Sequence, residues 1–373
     1  EQNLWIPAAM PYYGAARNGP PLTKALIFSS WSMVPDAVAA LLSYEAERRM
    51  GVGDSGRRYF EQHRLRPLQF RQDQGRLAGL RALLLIYPSP ALAELADPLA
   101  VFSERKETLS QSDMRAAVAV RLTPALEALG KGAVSREDAN SAEWAAPAVI
   151  DELLGARSRN WLETASGMCA LASEDAFQDH VAELATAAKA RDIGAPVADL
   201  SDLLVDVALG SPAVCALRAL KRITPELAWD DPRLLSAAAE AAWAFRTLFN
   251  QHDAIAMLRR DTDDHYWRRV LVYCAEHNLQ AVLDEYAHYL VDAEGLGALP
   301  AVDRATGVAR AMAQALAIRP SQLDVDDVHV EGEALAISKF QMRGRFAMRL
   351  ADYKDEDGAV ARLGGVRDAF NSP

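Results

Sequence analysis

The sequence predicts an α/β fold: a partial parallel-sheet layer interrupted by a large all-α insertion, mostly helical overall. Three observations predict it. A strand-length apolar run, "KALIFSS" from Lys24, empties into a helix start. From about residue 100 to 320 the pattern is almost wholly helical. Alternation of apolar and polar residues then returns in "RGRFAMRLAD", with Phe346, Met348 and Leu350 on one face.

Composition sets the bounds. The chain has 373 residues, half of them hydrophobic, which suffices for a sizeable core and for two or three sub-domains. Alanine and leucine dominate the apolar set and favour helix. A formal charge of -11 argues against a chain that coats nucleic acid non-specifically, although a local basic groove on an acidic body remains compatible with it. Cys169, Cys215 and Cys274 form no close pair and read as reduced thiols. No apolar run approaches the roughly 18 residues of a membrane span, and no signal pattern opens the chain. The expectation is a cytoplasmic protein with no membrane partner.

Residues 1–23 are rich in Pro, Gly and aromatics and read as an ordered arm, since Trp5, Tyr12 and Tyr13 would not sit bare in water. After the strand at residue 24, Ser32 is an N-cap and Pro35 falls in the first turn. Val34, Val38, Leu41 and Leu42 then make an apolar stripe. Residues 56–81 are the basic block of an acidic chain: Arg57, Arg58, Arg64, Arg66, Arg71, Arg76 and Arg81 stand against Glu61 and Asp73. "RALLLIYPS" is a second candidate for a buried strand, closed by Pro88, and "PALAELADPL" starts a helix. Ser112 and Ser173 are placed to cap the helices that follow them. No fixed period supports a helical-repeat solenoid, so residues 100–324 read as a compact helical sub-domain. "DVHVEGEALAIS" alternates weakly, and Val366 to Phe370 read as a short helix.

The first candidate site is "FSSWS". Ser29, Ser30 and Ser32 at a helix start present hydroxyls and free N–H groups at the positive end of a dipole, a place for a phosphate. Ordinary capping explains the same residues and is the commoner case. Trp31 could stack on a base or lie in a core. The Arg block could track a phosphate backbone, or blunt a strand edge with charge. Arg343, Arg345 and Arg349 share a strand face and pose the same choice. "CAEHNLQAVLDEYAH" gathers Cys274, His277, Asp284, Glu285 and His288, too few well-spaced ligands for zinc. "DTDDHYW" lacks the glycine and terminal glutamate of a calcium loop. No phosphate loop is present; "GKGAVS" at Gly130 has the wrong order. Neither a dinucleotide fingerprint nor a nucleophile elbow occurs.

"LIFSSWSMVPDAVAALLSYEAERR" resembles motif IV at the start of the second RecA-like lobe of superfamily-2 helicases. It is most similar to Snf2-like and related bacterial helicases whose second lobe carries a large insertion. "LWIPAAMPYY", "NLQAVLDEYAH" and "FAMRL…VRDAFNSP" resemble stretches of one such group. The resemblance implies an internal fragment: 1–23 an arm, 24–99 the first part of the lobe, 100–324 the helical insertion, and 325–373 a return to the lobe that stops before motif V. It implies ATP and Mg²⁺ as cofactors of the full-length protein, bound by motifs outside this sequence, with no catalytic residue and no metal site here. The tracked strand, DNA, would be gripped by Phe28, Ser29, Ser30, Trp31 and Ser32, with Arg57, Arg58, Arg71 and Arg76 beside them. Arg343, Arg345 and Arg349 would contact nucleotide or nucleic acid. Motif IV residues of the superfamily also touch the nucleotide side, which leaves two roles open for Phe28 to Trp31. The insertion would offer a surface to a protein partner. The competing expectation is a non-catalytic helical scaffold.

Overall fold

The computed structural model describes residues 8–14, 66–105, 109–135, 142–156, 158–164, 168, 175–195, 198–251, 254–255, 258 and 265–316, the backbone of strands 323–331 and 334–342, and Val34, Val38 and Leu41. The described chain is mostly helical. Val34, Val38 and Leu41 are helical as expected; the two valines are half-buried, but Leu41, expected in the apolar stripe, is 67% exposed.

A short antiparallel hairpin opens the continuous part. Strand β1 (Arg71–Asp73) pairs with β2 (Arg76–Ala78), Asp73 opposite Arg76. Gln74 and Gly75 both take positive φ, 47° and 76°, the mirror-image turn whose twist matches a two-residue hairpin. The segment that follows corrects the expected second strand. "RALLLIYPS" forms a 3-10 turn and then helix α1 (Leu83–Ile86), with the Tyr87 N–H donating to the Leu83 carbonyl at 2.8 Å. Leu83 to Ile86 are buried on every side, so their pattern had no period to separate strand from helix. Leucine's helix propensity and local hydrogen bonding decide it.

Helix α2 (Pro90–Leu95) starts as expected: Pro90 stands in the first turn, and the Ser89 hydroxyl accepts from the Leu92 N–H. After α3 (Pro98–Arg105), α4 (Gln111–Arg121) is capped by Ser110, not Ser112. The Ser110 Oγ accepts from the Asp113 N–H at 3.1 Å, and Ser112 lies inside the first turn. Helices α5 (Thr123–Gly132), α6 (Ala146–Leu153) and α7 (Ser158–Glu163) lead to α8 (Asp175–Ala190). Phe177, Val181, Leu184 and Ala188 form its buried stripe, as their spacing predicts. Ser173, expected as its cap, lies outside the described residues.

The centre of the core is a bent pair, α9 (Leu200–Gly210) and α10 (Pro212–Ile223). No single described helix is long and apolar enough to cross a membrane; this bent pair passes that test together, and it lies largely inside the protein. A Cβ on Gly210 would stand 2.0 Å from the Leu271 carbonyl oxygen, so only glycine lets α9 approach α12 (Tyr266–Glu276) this closely. Helices α11 (Pro232–Phe249), α13 (Leu279–Ala293) and α14 (Ala301–Leu316) pack around α10. One buried apolar cluster runs from Tyr12 through Leu83 to Met312, and residues 68–96 belong to it together with the helices that follow.

Strands β3 (Leu323–Glu331) and β4 (Ala334–Met342) form an antiparallel hairpin with a register shift near Asp327. Among the described residues strands pair two by two and antiparallel, so the parallel sheet expected from the sequence is not formed there. The segment expected as its last strand, with Phe346, Met348 and Leu350, and the helix at 366–370 lie outside the described residues.

Candidate functional site: a basic hairpin and a buried polar seam

Phe28, Ser29, Ser30, Trp31, Ser32, Arg57, Arg58, Arg343, Arg345 and Arg349 lie outside the described residues. Of the expected nucleic-acid contacts, Arg71 and Arg76 are described, and both are exposed on the β1–β2 hairpin. Alternation puts Arg71, Asp73 and Arg76 on one face of the ribbon. Arg66 is exposed just before it. Arg81, from the same block, is already engaged: its Nε donates to Glu143 at 2.5 Å.

The hairpin has a firm base. Phe70, 2% exposed, lies 4.9 Å from the Phe177 ring and stacks against Trp243 at 6.2 Å. The Arg246 guanidinium sits over the Phe70 and Trp243 rings, at 4.8 and 4.2 Å, while its Nε donates to the Leu68 carbonyl. Asn250 accepts from the Leu68 N–H at 3.0 Å, and His180 Nε2 lies 3.0 Å from the Ala78 carbonyl. Two cations are therefore held out from a surface that ordered aromatic packing fixes.

The second arrangement is internal, and sequence reasoning missed most of it. Arg218 is wholly buried in α10. Its guanidinium donates to the carbonyls of Leu92, Ala93 and Ala96 at the end of α2, to Ala208 in α9, and to Gln280 Oε1. Burial lowers its pKa. Gln280 donates to the Cys215 carbonyl and to Asp284, and Asp284 pairs with Arg222 at 2.7 Å, which reaches Asp97 at 2.6 Å. Burial pushes the Asp284 carboxyl up to about 6, with Arg222 opposing the shift. The signal available in the sequence was Arg218, flanked on both sides by apolar residues in "PAVCALRALKRI".

The stretch weighed for a metal is absorbed by this seam and its rim. Cys274 is buried, and its thiol is pushed up by desolvation. His277 stacks on Tyr273 at 4.0 Å and directs Nδ1 to the Tyr273 carbonyl; His288 directs Nδ1 to the Asp284 carbonyl. Glu285 accepts from the backbone N–H groups of Ala9 and Met10. Among the described residues no group of three or more His, Cys, Asp or Glu side chains is placed to hold a metal ion.

The N-terminal arm thus meets α13: the stretches "LWIPAAMPYY" and "NLQAVLDEYAH", far apart in sequence, touch through residues 8–14. Tyr12 donates its hydroxyl to Asp284 at 2.7 Å, and Tyr13 donates to the Ala275 carbonyl at 2.6 Å. Burial, with Asp284 beside Tyr12, raises the pKa of both phenols.

Compared with models of protein families, with curated proteins and with solved structures, the chain matches none. Chemically, the seam is a set of satisfied partners and the hairpin a pair of uncommitted cations. The first can hold elements in place; the second can meet a polyanion.

Proposed function

We propose that this chain belongs to the second lobe of an ATP-dependent DNA helicase or translocase of the bacterial cytoplasm, and that the helical body is an insertion in that lobe. The observation that carries the reading is the stretch from Leu26 to Arg49: an apolar strand pattern, then Ser29, Ser30, Trp31 and Ser32, then a helical stripe. The helical conformation of Val34 and Val38 supports it. In this reading the strand pattern from Lys24 and the stretch after Met342 contribute to a RecA-like parallel sheet, while residues 66–99 and the β3–β4 hairpin lie beside that sheet. Backbone N–H groups and serine hydroxyls at the strand–helix turn grip phosphates of the tracked strand, which gives hold without base preference. Arg71 and Arg76 extend the grip over the body. ATP and Mg²⁺ bind through a phosphate loop that this sequence lacks, so hydrolysis needs a further lobe. A protein partner docks on the helical body.

The test begins with the reading frame around this sequence, which should encode a phosphate loop and an Asp-Glu box before it, and motifs V and VI after it. The intact protein should then hydrolyse ATP in response to DNA, and the chain alone should not. Turnover by the chain alone, or an intact protein with no phosphate loop, overturns the proposal. A second reading, a non-catalytic helical scaffold, is favoured by the single core that joins the hairpin base to the helices. A complete gene without ATPase motifs would select it.

A further inference from the structure

The contact between the arm and α13 has the form of peptide recognition. Residues 8–14 run as a bent segment outside helix and strand, and side chains of the body read their backbone. Glu285 takes the Ala9 and Met10 N–H groups at 3.0 and 2.9 Å, one on each carboxylate oxygen. Asn278 Oδ1 accepts from Tyr12 N–H at 3.1 Å and Tyr13 N–H at 3.3 Å, while its Nδ2 donates to the Tyr13 carbonyl at 2.9 Å. One amide side chain thus holds two successive N–H groups and a carbonyl of the bend. Gly14 N–H completes the set on the Leu109 carbonyl at 2.8 Å, beside a parallel bridge from Tyr13 to Leu109. Tyr12 and Tyr13 then fill side-chain pockets, the first against Phe102 at 6.0 Å.

The receiving side chains are held by the body itself. Asp284 keeps Arg222 and Gln280 when Tyr12 is taken away. Asn278 is fixed at the start of α13 in the left-handed region, φ 50°, with its N–H on the Ala275 carbonyl and its own carbonyl accepting from Val282. Glu285 is partly exposed and returns to water. Departure of the arm leaves Asp284 its partners and Glu285 its water, while the Asn278 amide, whose side-chain bonds all go to the arm, opens to solvent on a fixed backbone, so the frame of the site is organised before its ligand arrives. From this we infer that the Asn278–Glu285 edge of α13 is a receptor for a bent peptide segment that offers successive backbone N–H groups. Residues 8–14 are its resident ligand, a strap that leaves and rejoins the body while the helical core stays folded. The inference stands without the nucleic-acid reading.

Hydrogen exchange of the whole chain tests it. The amides of Ala9, Met10, Tyr12, Tyr13 and Gly14 should exchange through a local opening, faster than those of Leu203 to Leu209 and insensitive to low urea. Glu285→Ala should speed Ala9 and Met10 by about tenfold, the effect of losing charge-assisted bonds, with the α9 amides unchanged. Asn278→Ala should do the same at Tyr12 and Tyr13. An excess of a synthetic peptide spanning residues 7–15 should compete and speed exchange of the whole strap. If strap amides exchange only as fast as the α9 amides in the wild type and in Glu285→Ala, and the peptide changes nothing, the strap is a fixed part of the core and the inference fails. Glu285→Ala alters a partly exposed residue, so the experiment stands even if Asn278→Ala does not fold.

Discussion

Two groups of arginines contrast, one inside the core and one on the hairpin, and the sequence marks the difference only by their neighbours, apolar around Arg218 and basic around Arg71 and Arg76. Inside, Arg218 and Arg246 are buried and Arg222 nearly so, and each donates to backbone carbonyls or carboxylates of other elements. On the hairpin, Arg71 and Arg76 are exposed, with one carboxylate, Asp73, on their face of the ribbon. The interior set is complete, and adding a ligand there would break bonds already made. The hairpin set is open, and a phosphate would complete it. A cation's function is thus set by what its surroundings have already satisfied, not by its charge.

The sharpest way to break the comparison is Arg218→Met. The methionine keeps the apolar stem but removes the guanidinium from the carbonyls of Ala93, Ala96 and Ala208 and from Gln280 Oε1 in the core, leaving the Leu92 carbonyl its bond from the Ala96 N–H. Removing one partner from a buried charged network costs about 3–5 kcal/mol, so urea and thermal melts should show a stability loss of that order. Arg218→Lys should recover part of it, because an ammonium offers fewer donors and no planar fork.

A buried charge with no opposite charge in contact should behave differently, and Asp151 is that case. It is wholly buried and accepts from the Tyr87 hydroxyl at 2.7 Å, the Ser89 hydroxyl at 2.8 Å and the Ala91 N–H at 2.9 Å. Burial pushes its carboxyl up to about 7 despite those bonds. A raised acid binds its proton more tightly folded than unfolded. Its contribution is fully present below the unfolded value near 4 and is lost as pH rises toward 7, by at most about 1.4 kcal/mol per unit. Asp284 adds to the same trend up to about pH 6. Asp151→Asn should flatten the stability–pH curve between pH 4 and 7, read from urea midpoints. An unchanged slope would mean Asp151 stays ionised in the fold.

These cases show what could be read beforehand. The helical bulk was legible because alanine-rich stretches with an apolar stripe, such as Asp175–Ala190, carry their own periodicity. The stretch at Leu83 was not, since an apolar run buried all round has no polar face to mark its period. Ser110 took the cap from Ser112 because both can cap and only the final turn geometry chooses. The seam was hidden for a deeper reason: Arg218 and Arg222 on α10, Gln280 and Asp284 on α13, and Asp97 between α2 and α3 are far apart in sequence and meet only after packing. Arg71 and Arg76 were visible as charge, but that they flank a turn on a ribbon with an aromatic base was not.

The smallest expected effect on stability belongs to the hairpin, and it is the one that tests the proposed nucleic-acid contact. Arg71→Ala combined with Arg76→Ala removes two exposed side chains that no described partner uses, so melts should shift by less than about 0.5 kcal/mol. If the pair contacts phosphates, DNA affinity of the intact protein should fall evenly across sequences. The slope of log K against log salt should then become shallower by about 2, since each lost contact removes about 0.9. Arg246→Met should give the opposite pattern: it strips the cation from between Phe70 and Trp243 and loosens the hairpin base, so stability drops first and DNA affinity follows. A salt slope untouched by the double substitution would place the polyanion elsewhere and leave the hairpin arginines as solubilising charge on a strand edge.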